Sequence, residues 1–284
     1  MKLLRYGQPG HEKPGCVDNN GIIRDLSQYV ENITANTLSP ENIDRLRRIN
    51  ISNLPKVNNP GRIGTPYEFN GKFIAVGLNY SDHAAEVGAK PPKEPILFTK
   101  WCEPTGPNDD VILPKDSTKS DWEVELGVVI GKKAQYVTKS EALDYVAGYC
   151  IVNDVSERSF QLERGPTWDK GKGCDTFGPI GPWLVTKDEI TDPQNLEMWL
   201  DVNNKRQQTG NTSTMIFNVA YLVHYISQFT TLNPGDLIAT GTPPGVAMGQ
   251  NPPPFLKDGD IMHLGIQGLG EQKQLVKNVN IKEA

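Results

Sequence analysis

The apolar positions of this chain fall into short runs bounded by turn residues, which predicts many strands and few helices. The runs are Phe73 to Leu78, Ile96 to Thr99, Asp110 to Leu113, Trp122 to Ile130, Gly148 to Asn153, Pro182 to Thr186 and Leu196 to Val202. Asn233-Pro234-Gly235-Asp236 and Lys257-Asp258-Gly259-Asp260 supply turn chemistry between later segments. From Lys72 onward two helices stand out, a short one over Ser140 to Tyr145 and a longer one over Phe217 to Phe229. The longer one has an apolar face of Phe217, Ala220, Tyr221, Val223, His224 and Ile226. Strands and helices do not alternate regularly, which disfavours Rossmann and TIM architectures.

Residues 1–70 read as a small separate α/β unit. Met1 to Tyr6 and Gly21 to Leu26 predict strands, and Ser39-Pro40-Glu41-Asn42 caps a helix running to about Ile49. Asn58-Asn59-Pro60-Gly61 and Gly64-Thr65-Pro66 then form a turn-rich connector, leaving residues 71–284 as the main domain.

Within the run Asp121-Trp122-Glu123-Val124-Glu125-Leu126, two acids interrupt an otherwise apolar strand. Positions i and i+2 of a strand share a face, so Glu123 and Glu125 lie side by side. Burying such a pair costs several kcal/mol for each carboxylate unless a partner neutralises it. A divalent cation is the simplest partner. The run Tyr149-Cys150-Ile151-Val152-Asn153-Asp154 ends on a third acid, Asp154, before a polar helix start over Ser156 to Gln161. All-carboxylate ligation favours Mg²⁺, Mn²⁺ or Ca²⁺ over zinc, and three acids leave about half of an octahedral shell for water and substrate. The competing reading is a solvent-facing stripe on an edge strand.

Composition narrows the classes. The chain has 284 residues, 37% of them hydrophobic, and a net charge of −5, which suits a soluble globule without the basic face that nucleic acid requires. No apolar run approaches the roughly 20 residues of a membrane span, and the amino terminus lacks the apolar core of a signal peptide. A cytoplasmic protein is expected. Cys16, Cys102, Cys150 and Cys174 are widely spaced, so reduced thiols are expected rather than a zinc site or disulfide frame.

Further chemistry is carried by three segments. In Tyr80-Ser81-Asp82-His83-Ala84-Ala85-Glu86, His83 and Glu86 share a helical face at i and i+3, the arrangement of a general base with an orienting acid; an ordinary surface pair has the same spacing. Lys170 and Lys172 lie in a glycine-rich loop before Phe177-Gly178-Pro179 and could offset an enolate charge or simply meet solvent. Thr240-Gly241-Thr242-Pro243 could present hydroxyls and amides to an anion or serve as a tight connection. His224, on an apolar helix face, reads as a satisfied core histidine, and His11 and His263 have no constellation.

Taken together, Trp122-Glu123-x-Glu125-Leu126, Asn153-Asp154-x-Ser156-x-Arg158 with Gln161, Lys172 before Phe177-Gly178-Pro179, and Thr240-Gly241-Thr242-Pro243 resemble the fumarylacetoacetate hydrolase family, in the family's order. Tyr80-x-x-His83-x-x-Glu86 lies in the matching place upstream, and the resemblance covers about residues 72 to 275. The amino-terminal unit resembles the subgroup of ureidoglycolate lyase and 2,4-diketo-3-deoxy-sugar-acid hydrolase. The resemblance implies an α+β fold with a mixed β-roll or distorted-barrel core, a homodimer, and Mg²⁺, or Mn²⁺ or Ca²⁺, on Glu123, Glu125 and Asp154. It further implies that His83 and Glu86 activate water on a mobile lid and that Lys172 stands beside the reacting group, with Gln161, Arg158 and Thr242 toward the substrate. The expected substrate is a small 2-oxo carboxylate, an acylpyruvate-type 2,4-dioxo acid, with a 2,4-diketo-3-deoxy sugar acid as one candidate, cleaved between C3 and C4 to pyruvate and a second acid. Ureidoglycolate cleavage, oxaloacetate decarboxylation and 2-hydroxydienoate isomerisation are alternatives on the same site, and a calcium-stabilised binding protein is the non-enzymatic one. Leu162-Glu163-Arg164-Gly165 lacks the aromatic contact that the eponymous hydrolase places four residues after the glutamine, so the fumarylacetoacetate pocket is not reproduced.

Overall fold

The computed structural model of the chain describes residues 1–280; the last four residues of the expected 71–284 domain lie outside the described residues. Strands begin with β1 (Lys2–Tyr6), β2 (Lys13–Val17), β3 (Ile23–Asp25), β4 (Phe73–Gly77), β5 (Ile96–Thr99) and β6 (Val111–Leu113). They continue with β7 (Ser120–Asp121), β8 (Val124–Ile130), β9 (Val146–Asn153), β10 (Ser156–Glu157) and β11 (Ile180–Thr186). The last are β12 (Glu197–Val202), β13 (Lys205–Asn211), β14 (Leu237–Ala239), β15 (Ile261–Ile266) and β16 (Gly270–Asn278). The helices are α1 (Pro40–Arg47), α2 (Ser81–Glu86), α3 (Arg158–Leu162), α4 (Asp169–Lys172) and α5 (Val219–Ser227). None is long and apolar enough to cross a membrane.

The large sheet runs β3-β2-β1-β11-β9-β8-β14-β4-β5, a second runs β13-β12-β15-β16-β6, and β10 pairs with β7. Its centre is buried on both faces. On β8, Val124, Leu126, Val128 and Ile130 enter one apolar cluster with Ile74, Tyr149 and Ile151, while Val129 enters another with Phe73, Cys150 and Val152. Glu125 shares the face of Val129 by the two-residue period. The amino-terminal segment adds β1 to the same sheet, antiparallel to β11 with Lys2 opposite Val185 and Leu3 opposite Leu184. The expected α1 forms, with the Ser39 side chain accepting from the Asn42 amide and Pro40 in the first turn.

The strand expected over Trp122 to Ile130 starts only at Val124, as β8, and Trp122 and Glu123 form a break between it and β7. Side chains take over the backbone ladder at the break. The Glu123 amide donates to Asn153 Oδ1 at 3.2 Å and the Val124 amide to Gln208 Oε1 at 2.9 Å. Over Ser140 to Tyr145 the helical part shrinks to a 3-10 turn at Ala142–Tyr145, and the longer expected helix settles as α5, capped by the Asn218 side chain.

Candidate functional site

Where β8 and β9 meet, three carboxylates converge. Glu125 stands opposite Val152 and Val124 opposite Asn153, and the Asp154 amide extends the pairing by donating to the Glu123 carbonyl at 2.9 Å. One oxygen from each of Glu123, Glu125 and Asp154 lies within 4.8 Å of the others. Their exposures of 5%, 1% and 0% dispose of the solvent-facing stripe: these are buried acids, and each needs compensation.

Most of that compensation comes from the chain. Lys172 Nζ donates to Glu123 at 2.7 Å and to Asp154 at 2.9 Å, and Lys100 Nζ donates to the other Asp154 oxygen at 2.5 Å. Arg158 spans Glu123 at 2.7 Å, Asp121 at 2.9 Å and the Gln161 side-chain oxygen at 3.0 Å. Glu125 differs: it accepts from the Gly241 amide at 2.8 Å and forms no ion pair among the described residues. Among the described residues four buried carboxylates (Asp121, Glu123, Glu125, Asp154) thus face three buried cations (Lys100, Arg158, Lys172), a formal surplus of one negative charge.

The surplus sits on Glu125. Burial, with Asp154 and Glu123 beside it, pushes its carboxyl well above the usual range. Burial also opposes the charge of Glu123, but Lys172 and Arg158 outweigh it and hold that carboxyl at about 2. Lys172 loses from burial too, yet Asp154 and Glu123 raise its ammonium above its ordinary value. A buried trio of hard oxygen donors with one uncompensated charge fits a divalent cation, and Glu123, Glu125 and Asp154 could hold it.

Two expected results follow from this electrostatic arrangement. Because Glu125 keeps its proton to unusually high pH, Mg²⁺ or Mn²⁺ binding should release a proton and tighten as pH rises. Calorimetry in buffers of different ionisation enthalpy reads this directly, and binding without proton release would contradict it. Arg158→Ala leaves Asp121 buried without its cation and Glu123 with Lys172 alone, so a loss of about 3–5 kcal/mol is expected, checked by denaturant titration of the metal-free protein.

The site also has a histidine wall. The Glu86 side chain meets His83 Nδ1 at 2.9 Å, and its other oxygen accepts from the Gly245 amide at 2.9 Å. Their helix, α2, is anchored through Asn79, whose side chain donates to the Thr240 and Phe217 carbonyls at 2.7 and 3.0 Å and accepts from the Phe217 amide at 2.8 Å. Gly241 beside it has φ +97°, and a Cβ there would come 2.8 Å from the Asn79 Cβ, so this turn takes glycine alone. The hydroxyls of Thr240 and Thr242 donate to the Leu126 and Val124 carbonyls. They tie the loop to β8, while the Gly241 amide is the loop's contact with a carboxylate.

A cavity of about 180 Å³ is lined by His83, Glu123, Glu125, Arg158, Gln161, Lys172 and Thr242. Of the residues expected at the site, the buried Asp154 and the exposed Glu86 are not part of this lining, and each is bonded to a residue in it. A larger open groove of about 460 Å³ beside Phe217 and Tyr221 carries neither carboxylate nor histidine, so the chemistry belongs to the smaller cavity. Lys170 is outside, donating to the Arg164 carbonyl. His224 bonds the Val137 carbonyl at 2.6 Å and His263 pairs with Glu271.

Lys100 and Asp121 escaped the reading of the sequence. Asp121 carried a signal, since it precedes Glu123 by the same two residues that separate Glu123 from Glu125. Lys100 carried none, because it looks like a solvated residue at the end of β5.

Comparison with known proteins bears on the same residues. Residues 72–277 match the model of the fumarylacetoacetate (FAA) hydrolase C-terminal region. The chain is 59% identical over 280 residues, 98% of its length and 99% of the relative's, to a Burkholderia orbicola protein whose name says hydrolase and gives no substrate. Its structure resembles 5-carboxymethyl-2-hydroxymuconate delta-isomerase from Mycobacterium smegmatis, with a TM-score of 0.76, 31% identity and coverage of 99% and 100% of the two chains. It also resembles maleylpyruvate hydrolase from Sphingobium sp. SYK-6, solved with manganese(II) and pyruvate, with a TM-score of 0.81, 27% identity and coverage of 99% and 100%.

Proposed function

Because the chain belongs to the fumarylacetoacetate hydrolase family, we propose that it is a divalent-metal-dependent hydrolase of an acylpyruvate-type 2,4-dioxo acid, cleaving C3–C4 to pyruvate and a second carboxylic acid. The observation that carries this reading is the buried carboxylate trio with one surplus charge, two of whose members, Glu123 and Glu125, line the same cavity as His83. Mg²⁺, or Mn²⁺ or Ca²⁺, on Glu123, Glu125 and Asp154 would supply Lewis acidity toward a chelating 2-oxo carboxylate.

The chain's own residues do the rest. His83 takes a proton from water as that water adds to the C4 carbonyl, and Glu86, itself fixed by the Gly245 amide, orients the ring and stabilises its positive charge. As C3–C4 breaks, its electron pair moves onto C3 and the 2-oxo oxygen, where the Lys172 ammonium offsets the charge. The proton that His83 took from water then passes to C3, which completes pyruvate and restores the neutral imidazole. Arg158 and Gln161, joined to each other, and Thr242 position the substrate.

The test is a product assay of the metal-loaded protein with acylpyruvates, 2,4-dioxo sugar acids, oxaloacetate, ureidoglycolate and a 2-hydroxydienoate. Pyruvate formed in equal amount with a second acid is expected. Tautomerisation of the dienoate without C–C cleavage would transfer the site to a second reading, isomerisation, favoured by the likeness to the M. smegmatis isomerase. A homodimer, a cytoplasmic location and a domain division near residue 70 belong to the same proposal. Light scattering, fractionation and limited proteolysis address them in turn.

A further inference from the structure

The walls of the cavity change character away from the carboxylates. Next to Lys172, whose Nζ lies 5.3 Å from the centre of the Phe98 ring, the lining becomes hydrocarbon. Phe98 in turn meets Trp168 edge to face, with ring centroids 5.5 Å apart. Leu78, Val87, Ile96 and Met248 complete this part of the lining. The polar residues around the carboxylates are buried, whereas these four and Trp168 are half-buried, so the site is polar at its floor and apolar at its mouth. Gly77 makes room for the indole: a Cβ at that position would lie 2.9 Å from Trp168 Cη2 and closer still to its neighbour Cζ3. The cations of the lining, Arg158 and Lys172, sit at the floor, paired with Asp121, Glu123 and Asp154.

A second carboxylate on the substrate would meet no cation at this mouth, and a polyhydroxylated tail would leave its hydroxyls against Phe98, Trp168 and Ile96 at a desolvation cost. Building on the acylpyruvate reading above, we infer that the mouth formed by Phe98, Trp168 and their apolar neighbours selects 2,4-dioxo acids whose acyl group is an uncharged hydrocarbon chain, with Trp168 as a specificity-determining residue seated by Gly77.

The experiment compares kcat/KM of the metal-loaded enzyme for acetyl-, butanoyl- and hexanoylpyruvate, for fumarylpyruvate and for a 2,4-dioxo sugar acid. In parallel, calorimetry measures binding of 2-oxoalkanoates of increasing length, which cannot be hydrolysed. Each methylene accepted at the mouth should raise both readouts about fourfold until the cavity is filled, and the dicarboxylate and polyol should trail. Trp168→Ala should flatten the chain-length dependence of both readouts. Leu162→Arg, at a lining position that is 52% exposed and therefore tolerant, should improve the fumaryl substrate relative to the hexanoyl one. If acylpyruvates are hydrolysed but the charged or polyhydroxylated tail is preferred, the inference is overturned and the proposed function stands. If no acylpyruvate is hydrolysed, the proposed function falls, and the binding series alone decides the apolar mouth: affinity independent of chain length overturns it.

Discussion

His83→Ala is expected to lower carbon–carbon hydrolysis by about 10²–10⁴-fold, the range for loss of a positioned general base. The carboxylate trio does not include His83, so Mg²⁺ or Mn²⁺ affinity should stay near the parent value. The split is informative because departure of CO₂ from oxaloacetate requires no activated water: any such activity should survive His83→Ala far better than hydrolysis does. Glu86→Gln is expected to follow His83→Ala, since an amide whose oxygen accepts from the Gly245 amide turns its NH2 to Nδ1 and holds the ring with its proton on Nε2, where it can neither act as a base nor be stabilised as an imidazolium. Steady-state kinetics of both reactions, with metal binding measured on the same preparations, check the assignment. Hydrolysis of the best acylpyruvate at the parent rate by His83→Ala would remove the dyad from the mechanism.

That so much of the site was legible reflects which forces are local. The alternation of Glu123 and Glu125 survives folding because a strand's two-residue period is intrinsic to its backbone, and the His83–Glu86 pair because an i, i+3 contact lies within one helical turn. Asp154 was marked by its place at the end of an apolar run. What escaped depends on distant chain segments. Lys100 is buried against Asp154, 54 residues away, and no local pattern distinguishes it from the exposed lysines. The polar sequence of β13, Lys205-Arg206-Gln207-Gln208-Thr209-Gly210-Asn211, hides a strand. It forms because its neighbour β12 supplies register and because Gln208 turns inward to the Val124 amide and Thr242. The parallel pairing of β14 with β4 and the joining of β1 to β11 are likewise set by tertiary packing, which overrides local propensity.

The same electrostatics predict opposite effects from one substitution. Glu125→Gln keeps the shape of the side chain and an oxygen to accept from the Gly241 amide, but removes the ionisable group that forms no ion pair among the described residues. Metal affinity should therefore fall by more than the roughly 10–100-fold typical of losing an outer-shell partner, while the metal-free protein becomes more stable. The sign follows from the raised carboxyl of Glu125: the folded state holds that proton more tightly than the unfolded chain. Its contribution to stability is full below the unfolded pKa and drains away as pH climbs toward the folded one. The advantage of Gln over Glu should accordingly be small in acid and grow with pH. Added metal reverses the ranking, because at 100 times its Kd a ligand specific to the native state stabilises by about 2.7 kcal/mol, a gain available to the parent and largely denied to the variant. Thermal melts of both proteins across pH, with and without Mn²⁺, should cross in this way. A variant less stable than the parent without metal, or one that binds Mn²⁺ equally well, would show that Glu125 is compensated by something other than a cation.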